Sequence, residues 1–316
     1  MNLVFGGDFC PQNIINIDRN IIEMTNNSDG MVINLEGYIS KNCDTKNTLC
    51  IPEEVIKELI EKLNIKYVSL ANNHSMDNGE EGFKYTIKVL NDCEVKIFGT
   101  KETPFIELDD VFIYSAVWEK TGVNNKHLNV LKKNEFLNLT FPEDKFVIFF
   151  PHWGIDLENL PLPWQYEFAL SFHKKYNGII IGHHSHVLHP VLKYRNKYSF
   201  FSIGNFYMPF NNITYYYPDF TRDSILVLFE DNKIDYVNTQ YNENLIKLSE
   251  KKDLTYLDNI DKKDYITFFN NNRRKKHYPN YENPITDFFK ENMLKLIGRF
   301  INSKIGTMLW KWVKKK

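Results

Sequence analysis

An α/β fold is predicted by the first 230 or so residues, where short runs rich in β-branched and aromatic side chains alternate with amphipathic helical stretches. Two further observations agree with it. The apolar runs end in clusters of Gly, Asn, Asp and His, as strands do where they meet loops. A chain of 316 residues that is 43% hydrophobic is also long enough to bury a sizeable core. Charge points to no particular partner: 39 Lys and Arg against 40 Asp and Glu leave a net charge of −1.

Taken in order, NLVF, DGMVINLE, IKYVSLA and VKIFG read as strands. PEEVIKELIEKLN reads as a helix with Pro52 in its first turn, and GEEGFKYTIKVLNDC as another. VFIYSAVW, KFVIFFPHWG, GIIIGHHSH, YSFFSIGNF and DSILVLFEDNKIDYVNTQ are β-rich, the last with a hairpin around EDNK. Periodicity leaves open whether these strands form a sandwich or a doubly wound sheet. Residues 1–240 are expected to be one domain. Residues 241–283 are Lys/Asn-rich and are expected to be a peripheral helical and linker segment. In 284–316, Ile285, Phe288, Phe289, Leu296 and Phe300 recur at helical spacing, and every charge from Lys295 onward is positive. That is a basic amphipathic helix suited to an anionic inner-leaflet surface, or else a helix packed on the domain with a solvated lysine end.

Cys10, Cys43, Cys50 and Cys93 lack the paired spacing of a zinc knuckle and are expected to be free thiols in a reducing compartment. MNLVFGGDFC has no secretory features, and no apolar run reaches the roughly 18 residues of a spanning helix. A cytoplasmic protein, peripheral to the inner membrane through its tail, is therefore expected.

Candidate chemistry gathers where predicted strands end: Asp8 in GGDF, Asn34 and Glu36 in NLEG, Asn72, Asn73, His74 and Asp77 in LANNHSMDNG, His152 and Asp156 in FFPHWGID, His183, His184 and His186 in IIIGHHSH, and Asn205 in FSIGNF. Carboxylates, an amide oxygen and imidazoles without thiolates suit Mn²⁺, Fe²⁺ or Zn²⁺ rather than a structural zinc site. His184 and His186, two apart on an extended segment, would present both rings on one face. Each residue alone also has a plain structural use, as cap, turn or packed loop residue.

In order and spacing, GGDF, NLEG, ANNHSMDNG, PHWGID, GHHSHVLHP and SIGNF resemble the CapA family, the poly-γ-glutamate capsule synthesis proteins within the calcineurin-like metallophosphoesterase superfamily. The resemblance covers roughly residues 2 to 230. It implies a four-layer sandwich of two mixed sheets flanked by helices, with two divalent metal ions (Mn, Fe or Zn) held by loops at one edge. Carried over by position, Asp8, Glu36, Asn73, His152, His184 and His186 would be ligands, with Glu36 bridging. His74 would act as a general acid or position the reacting group, with Asp77 beside it, and Asn72, His183 and Asn205 would face substrate. The sequence departs from the superfamily at Cys10, where many members carry histidine, and at Asp156, where relatives often carry Glu.

A metal-dependent phosphoesterase in surface-polymer synthesis, acting on a small-molecule or polymer substrate, is the leading expectation. A metal-dependent amidase on γ-glutamyl or peptide bonds fits the same ligands, and a non-catalytic accessory or binding protein is the rival from another class. Nucleic-acid binding has little support, because basic clusters are confined to the tail and to RRKK at 273–276.

Overall fold

The computed structural model of the chain describes residues 1–43, 49–122, 126–208, 219–242, 245–250, 254, 256–257 and 262–273. It opens with β1 (Asn2–Phe9), β2 (Asn16–Ile17), α1 (Arg19–Asn26) and β3 (Gly30–Leu35). A short ribbon of β4 (Tyr38–Ser40) and β5 (Cys50–Pro52) leads to α2 (Glu53–Lys62), β6 (Ile65–Ser69), α3 (Gly79–Asp92) and β7 (Lys96–Phe98). Next come β8 (Phe105–Leu108), β9 (Val111–Tyr114), a second ribbon of β10 (Val117–Trp118) with β11 (Val130–Leu131), α4 (Lys133–Leu137), β12 (Phe146–Phe149) and α5 (Pro163–Lys175). The remainder is β13 (Gly178–Ile181), β14 (Val191–Tyr194), β15 (Lys197–Phe200), β16 (Asn205–Tyr207), β17 (Asp223–Glu230), β18 (Lys233–Tyr241), β19 (Leu245–Leu248), β20 (Tyr256–Leu257) and α6 (Lys262–Asn272).

Two mixed sheets result, so the alternative left open by periodicity resolves to a two-sheet α+β sandwich. The first runs β2-β19-β18-β17-β1-β3-β6-β7, with β16 joined to the end of β1. The second runs β20-β14-β15-β13-β12-β9-β8. Alternation along β1 sends Leu3 and Phe5 inward with Val32 to meet Ile113, Ile148 and Ile181 of the second sheet. Val4 points the other way and packs with Ile33, Leu35 and the helical residues Ile21, Ile56, Leu59, Phe83 and Leu90. Each such side chain contributes about 1.5–3 kcal/mol by leaving water. Outside the second sheet an aromatic layer gathers around Phe149, whose ring lies 5.3 Å from Phe168, 5.5 Å from Trp153 and 6.1 Å from Phe136.

Local sequence explains most elements. Asp18 caps α1 by accepting from Asn20 N at 2.8 Å. Pro52 precedes α2 rather than entering its first turn, which holds Glu53 and Glu54, with Lys62 in the last, each charge opposing the nearby end of the helix dipole. The EDNK hairpin forms with Asp231 and Asn232 at φ 46° and 66°, the left-handed pair that a two-residue turn requires.

Two expectations are corrected. The segment 241–283 is not merely peripheral where it is described: β19 pairs with β18 and β2 in the first sheet, and β20 pairs with β14 in the second. The backbone hydrogen bonds left open at those strand edges recruit them. The chain divides into compact units Met1–Tyr265 and Ile266–Lys316, and the basic stretch 284–316 lies outside the described residues. Nor are all four cysteines free. Cys43 and Cys50 form a disulfide with Cα atoms 5.5 Å apart, while Cys10 and Cys93 remain thiols. Disulfides persist in oxidising compartments, so the ground for expecting a reducing one is removed. Among the described residues no helix is long and apolar enough to cross a membrane.

On α5, His173 is buried with Nε2 2.7 Å from Ser199 Oγ, and burial pushes its pKa from 6.5 down to about 3. Below pH 6.5 the unfolded chain takes up a proton that the folded ring refuses, so stability falls with pH, by about 1.4 kcal/mol per unit, until pH 3. Urea denaturation of His173→Gln should therefore show a stability–pH slope between pH 6 and 4 that is shallower by one proton; an unchanged slope would contradict this assignment.

Candidate metal centre

In each sheet the central strands run parallel, β1, β3, β6 and β7 in one and β9, β12, β13 and β15 in the other, and their C-terminal ends deliver the candidate residues. Asp8 is the penultimate residue of β1, Glu36 follows β3, Asn72 to His74 follow β6, His152 follows β12, and His183 to His186 follow β13. Two glycines let the ends close in. A Cβ on Gly7 would stand 2.0 Å from the Gly204 carbonyl oxygen, which accepts from Asp8 N at 3.2 Å, and one on Gly182 would stand 2.1 Å from Phe201 O.

Glu36 is fully buried and central. Its Oε1 lies 3.6 Å from His186 Nε2, 3.8 Å from His152 Nε2 and 4.0 Å from His74 Nε2. Two groups of ligand atoms, each with all members within 4.8 Å of one another, share it: Glu36 with His184 and His186, and Glu36 with Asp8 and His152. Neither Glu36 oxygen has a hydrogen-bond partner, and His184 Nδ1 is likewise unpartnered. Burial, with the Asp8 charge second, pushes the Glu36 carboxyl well above the usual carboxylate range. Burial, reinforced by neighbouring imidazoles, also holds His152 and His184 well below the ordinary value, so both rings are neutral as metal ligation requires. A buried carboxylate with both oxygens orphaned, beside neutral imidazoles, lacks a compensating cation. The oxygen and nitrogen donors therefore fit a divalent metal.

The remaining ligand candidates are held firmly. Asp8 Oδ1 accepts from Asn34 Nδ2 at 2.7 Å and Asp8 Oδ2 from His184 N at 3.1 Å. Asn34 Nδ2 also lies 3.2 Å from His152 Nδ1, and His152 Nε2 lies 2.7 Å from Asn73 Oδ1. His184 and His186 do converge, with ring centroids 6.0 Å apart, but not by strand alternation. β13 ends at Ile181, and both residues adopt left-handed backbone, φ 88° and 57°, in the turn beyond it. His74 and Asp77 stand at the more open side of the centre, joined by a 2.8 Å bond from His74 Nδ1 to Asp77 Oδ2. Asp156 is exposed, and its charge reaches Glu36.

Asn72, His183 and Asn205, expected to face substrate, are each no more than 1% exposed. Asn72 Nδ2 donates to Asn34 Oδ1 (3.1 Å) and Leu35 O (2.8 Å), while its oxygen accepts from His74 N (3.1 Å) and Ser75 Oγ (3.0 Å). Asn205 Oδ1 meets His186 Nδ1 at 2.8 Å, and the His183 ring packs on Phe150 with Nδ1 3.4 Å from Pro151 O. These three brace the centre from behind. Asn34, a candidate without a role in the sequence, proves to join Asp8, His152 and Asn72. Cys10 is buried in the apolar core beside Gly37, and among the described residues it enters neither ligand group.

A two-sheet α+β sandwich carrying buried Asp, Glu and His at its strand ends is consistent with the metallophosphoesterase superfamily. The chain belongs to the bacterial capsule synthesis protein PGA_cap family, whose model matches residues 11–106 and 119–209. It is similar to the capsule biosynthesis protein CapA of Bacillus anthracis, 25% identical over 224 residues that make up 64% of this chain and 54% of that protein. It is also similar to the PGA biosynthesis protein CapA of Bacillus subtilis (strain 168), 27% identical over 186 residues, 52% of this chain and 48% of that protein. The chain thus spans about half the length of these curated relatives.

Asn72→Ala would take the Asn72 partner from Asn34 Oδ1, Leu35 O and His74 N at once, while Ser75 Oγ keeps its bond to Leu70 O. It is expected to cost about 2–4 kcal/mol in denaturant unfolding; a loss under about 0.5 kcal/mol would show that Asn72 does not brace the centre.

Proposed function

We propose that the chain is a metal-dependent hydrolase, best suited to phosphoesters, that serves the synthesis of a capsule or other surface polymer. The observation that carries this reading is the buried Glu36 carboxylate, unpartnered and shared by two ligand groups. Asp8, Glu36, Asn73, His152, His184 and His186 would hold two divalent ions, Mn, Fe or Zn. Bound there, such ions supply Lewis acidity at the attacked ester and acidify water near neutral pH.

The chain's own residues supply orientation and a proton. Asn34 and the His184 amide fix the Asp8 carboxylate, and Asn205 fixes the His186 ring. Asp77 accepts from His74 Nδ1, which directs His74 Nε2 toward Glu36. From that position Nε2–H donates to the leaving oxygen. The linkage to polymer synthesis is supported by the names of the two Bacillus relatives. The basic stretch 284–316 is proposed to rest on an anionic lipid surface, and deletion of those residues should abolish binding to vesicles containing phosphatidylglycerol; binding that survives removes this role.

Elemental analysis of the purified protein should find one to two equivalents of Mn, Fe or Zn, lost in His184→Ala, His186→Ala. His74→Ala should keep its metal while kcat on an activated phosphoester falls by about 10²–10⁴. Cleavage of γ-glutamyl amides instead would reassign the substrate. A native chain that takes up no metal even after reloading would make the protein an accessory of polymer assembly.

A further inference from the structure

The most central carboxylate of the site has the least restraint of its own. Asp8 is held at both oxygens by protein donors, whereas Glu36 is held at neither. What positions Glu36 is therefore backbone. Glu36 N donates to Phe9 O at 3.1 Å, and the next residue, Gly37, lies against the β4–β5 ribbon. A Cβ on Gly37 would come within 2.3 Å of Leu49 O and 3.3 Å of Ile51 Cδ1, and Tyr38 N donates to the same Leu49 oxygen at 3.2 Å. Leu49, Cys50 and Ile51 are fully buried. The wall behind Glu36 is the strand that begins at Cys50.

That ribbon has an unusual connection. β4 and β5 pair in parallel, Tyr38 with Cys50 and Ile39 with Ile51, yet only residues 41–49 link them. Parallel strands ordinarily need a crossover of about a dozen residues or more. Here the Cys43–Cys50 bond ties the connection to the first residue of the returning strand. A cavity of about 880 Å³ lined by Gln12, Lys41, Asn42, Cys43, Pro52 and Glu54 opens beside the bond, and Cys43 is half-buried, so a small reductant can reach it.

We infer that the Cys43–Cys50 disulfide is a positioning clamp for Glu36, so that the oxidised chain is the form that binds divalent metal tightly. This rests on the metal reading proposed above. Reduction consumes two electrons and two protons from a dithiol, which leaves as its own disulfide, and yields two thiols at 43 and 50. Freed, the returning strand loses its tie to residue 43, and the wall against Gly37 loosens.

The test compares the native oxidised chain with Cys43→Ser, Cys50→Ser, which avoids new thiol ligands. Peptide mapping without reductant should recover the 43–50 linked peptide from the native chain. Mn²⁺ titration followed by the electron paramagnetic resonance of free Mn²⁺ should then show affinity at least 10-fold weaker in the double variant, the range seen when an outer support of a ligand is removed. Phe229→Leu, at the far end of the strand paired with β1, serves as a destabilised control. It should lower Tm without changing Mn²⁺ affinity. Equal Mn²⁺ affinity in native and double-serine chains, or a native chain with no linked peptide, overturns the clamp alone. If Mn²⁺ binds neither form and the linked peptide is present, the metal reading fails and takes the clamp with it. An affinity loss in Phe229→Leu as large as in the double variant would reduce the disulfide to general stability and overturn the positioning role.

Discussion

A fully buried carboxylate that no protein donor satisfies is the constraint around which the rest of this structure is arranged. Glu36 sits among His74, His152, His184 and His186 with Asp8 behind, and its Oε1 lies within 4.0 Å of three of those rings. Such a group is costly to bury in its ionised form, which is why its pKa is pushed up, and a cation held by these donors would offset that cost. Everything nearby serves to hold the donors facing inward despite that cost. The parallel strand ends supply them, glycines without Cβ atoms let the ends approach, and asparagines take up the hydrogen bonds that the ligands leave over.

The asparagines divide the work by their chemistry. A carboxamide offers both a donor and an acceptor without adding charge, which suits a site already crowded with carboxylates. Asn34 steadies Asp8 and meets the His152 ring, Asn72 ties Asn34 to the His74 turn, and Asn205 fixes the His186 ring. With the Asp8–His184 bond, these contacts link six strand ends from two sheets. His74 and Asp77 stand at the more open side, with His74 only partly buried, where a substrate can reach them.

The sandwich itself explains why the site lies where it does. In both sheets the apolar alternation buries one face against the other sheet and the opposite face against helices or aromatics, which leaves the ends of the strands as the place where polar side chains can collect. The left-handed turns at His184 and His186 are tolerated because Asp8 and Asn205 hold them from the first sheet. Conformational strain in one sheet's loop is thus offset by hydrogen bonds from the other.

Much of this was legible in the residues: the β-rich runs, helices α2 and α3, the Asp-Asn hairpin, and the ligand candidates at strand ends all depend on local periodicity and turn chemistry. Helix α5 was not, because its sequence PWQYEFALSFHKK is buried on nearly every side and shows no polar face to mark its period. Nor were β19 and β20, whose short runs become strands only because a sheet edge is waiting for them. The disulfide depends on a parallel ribbon that no spacing of cysteines announces. The same holds for the inward-facing roles of Asn72, His183 and Asn205. Which residue types could bind a metal was written in the chain, but which of them face one another and which stand behind depended on how two sheets pack, a matter of contacts between residues as far apart as Asp8 and His184.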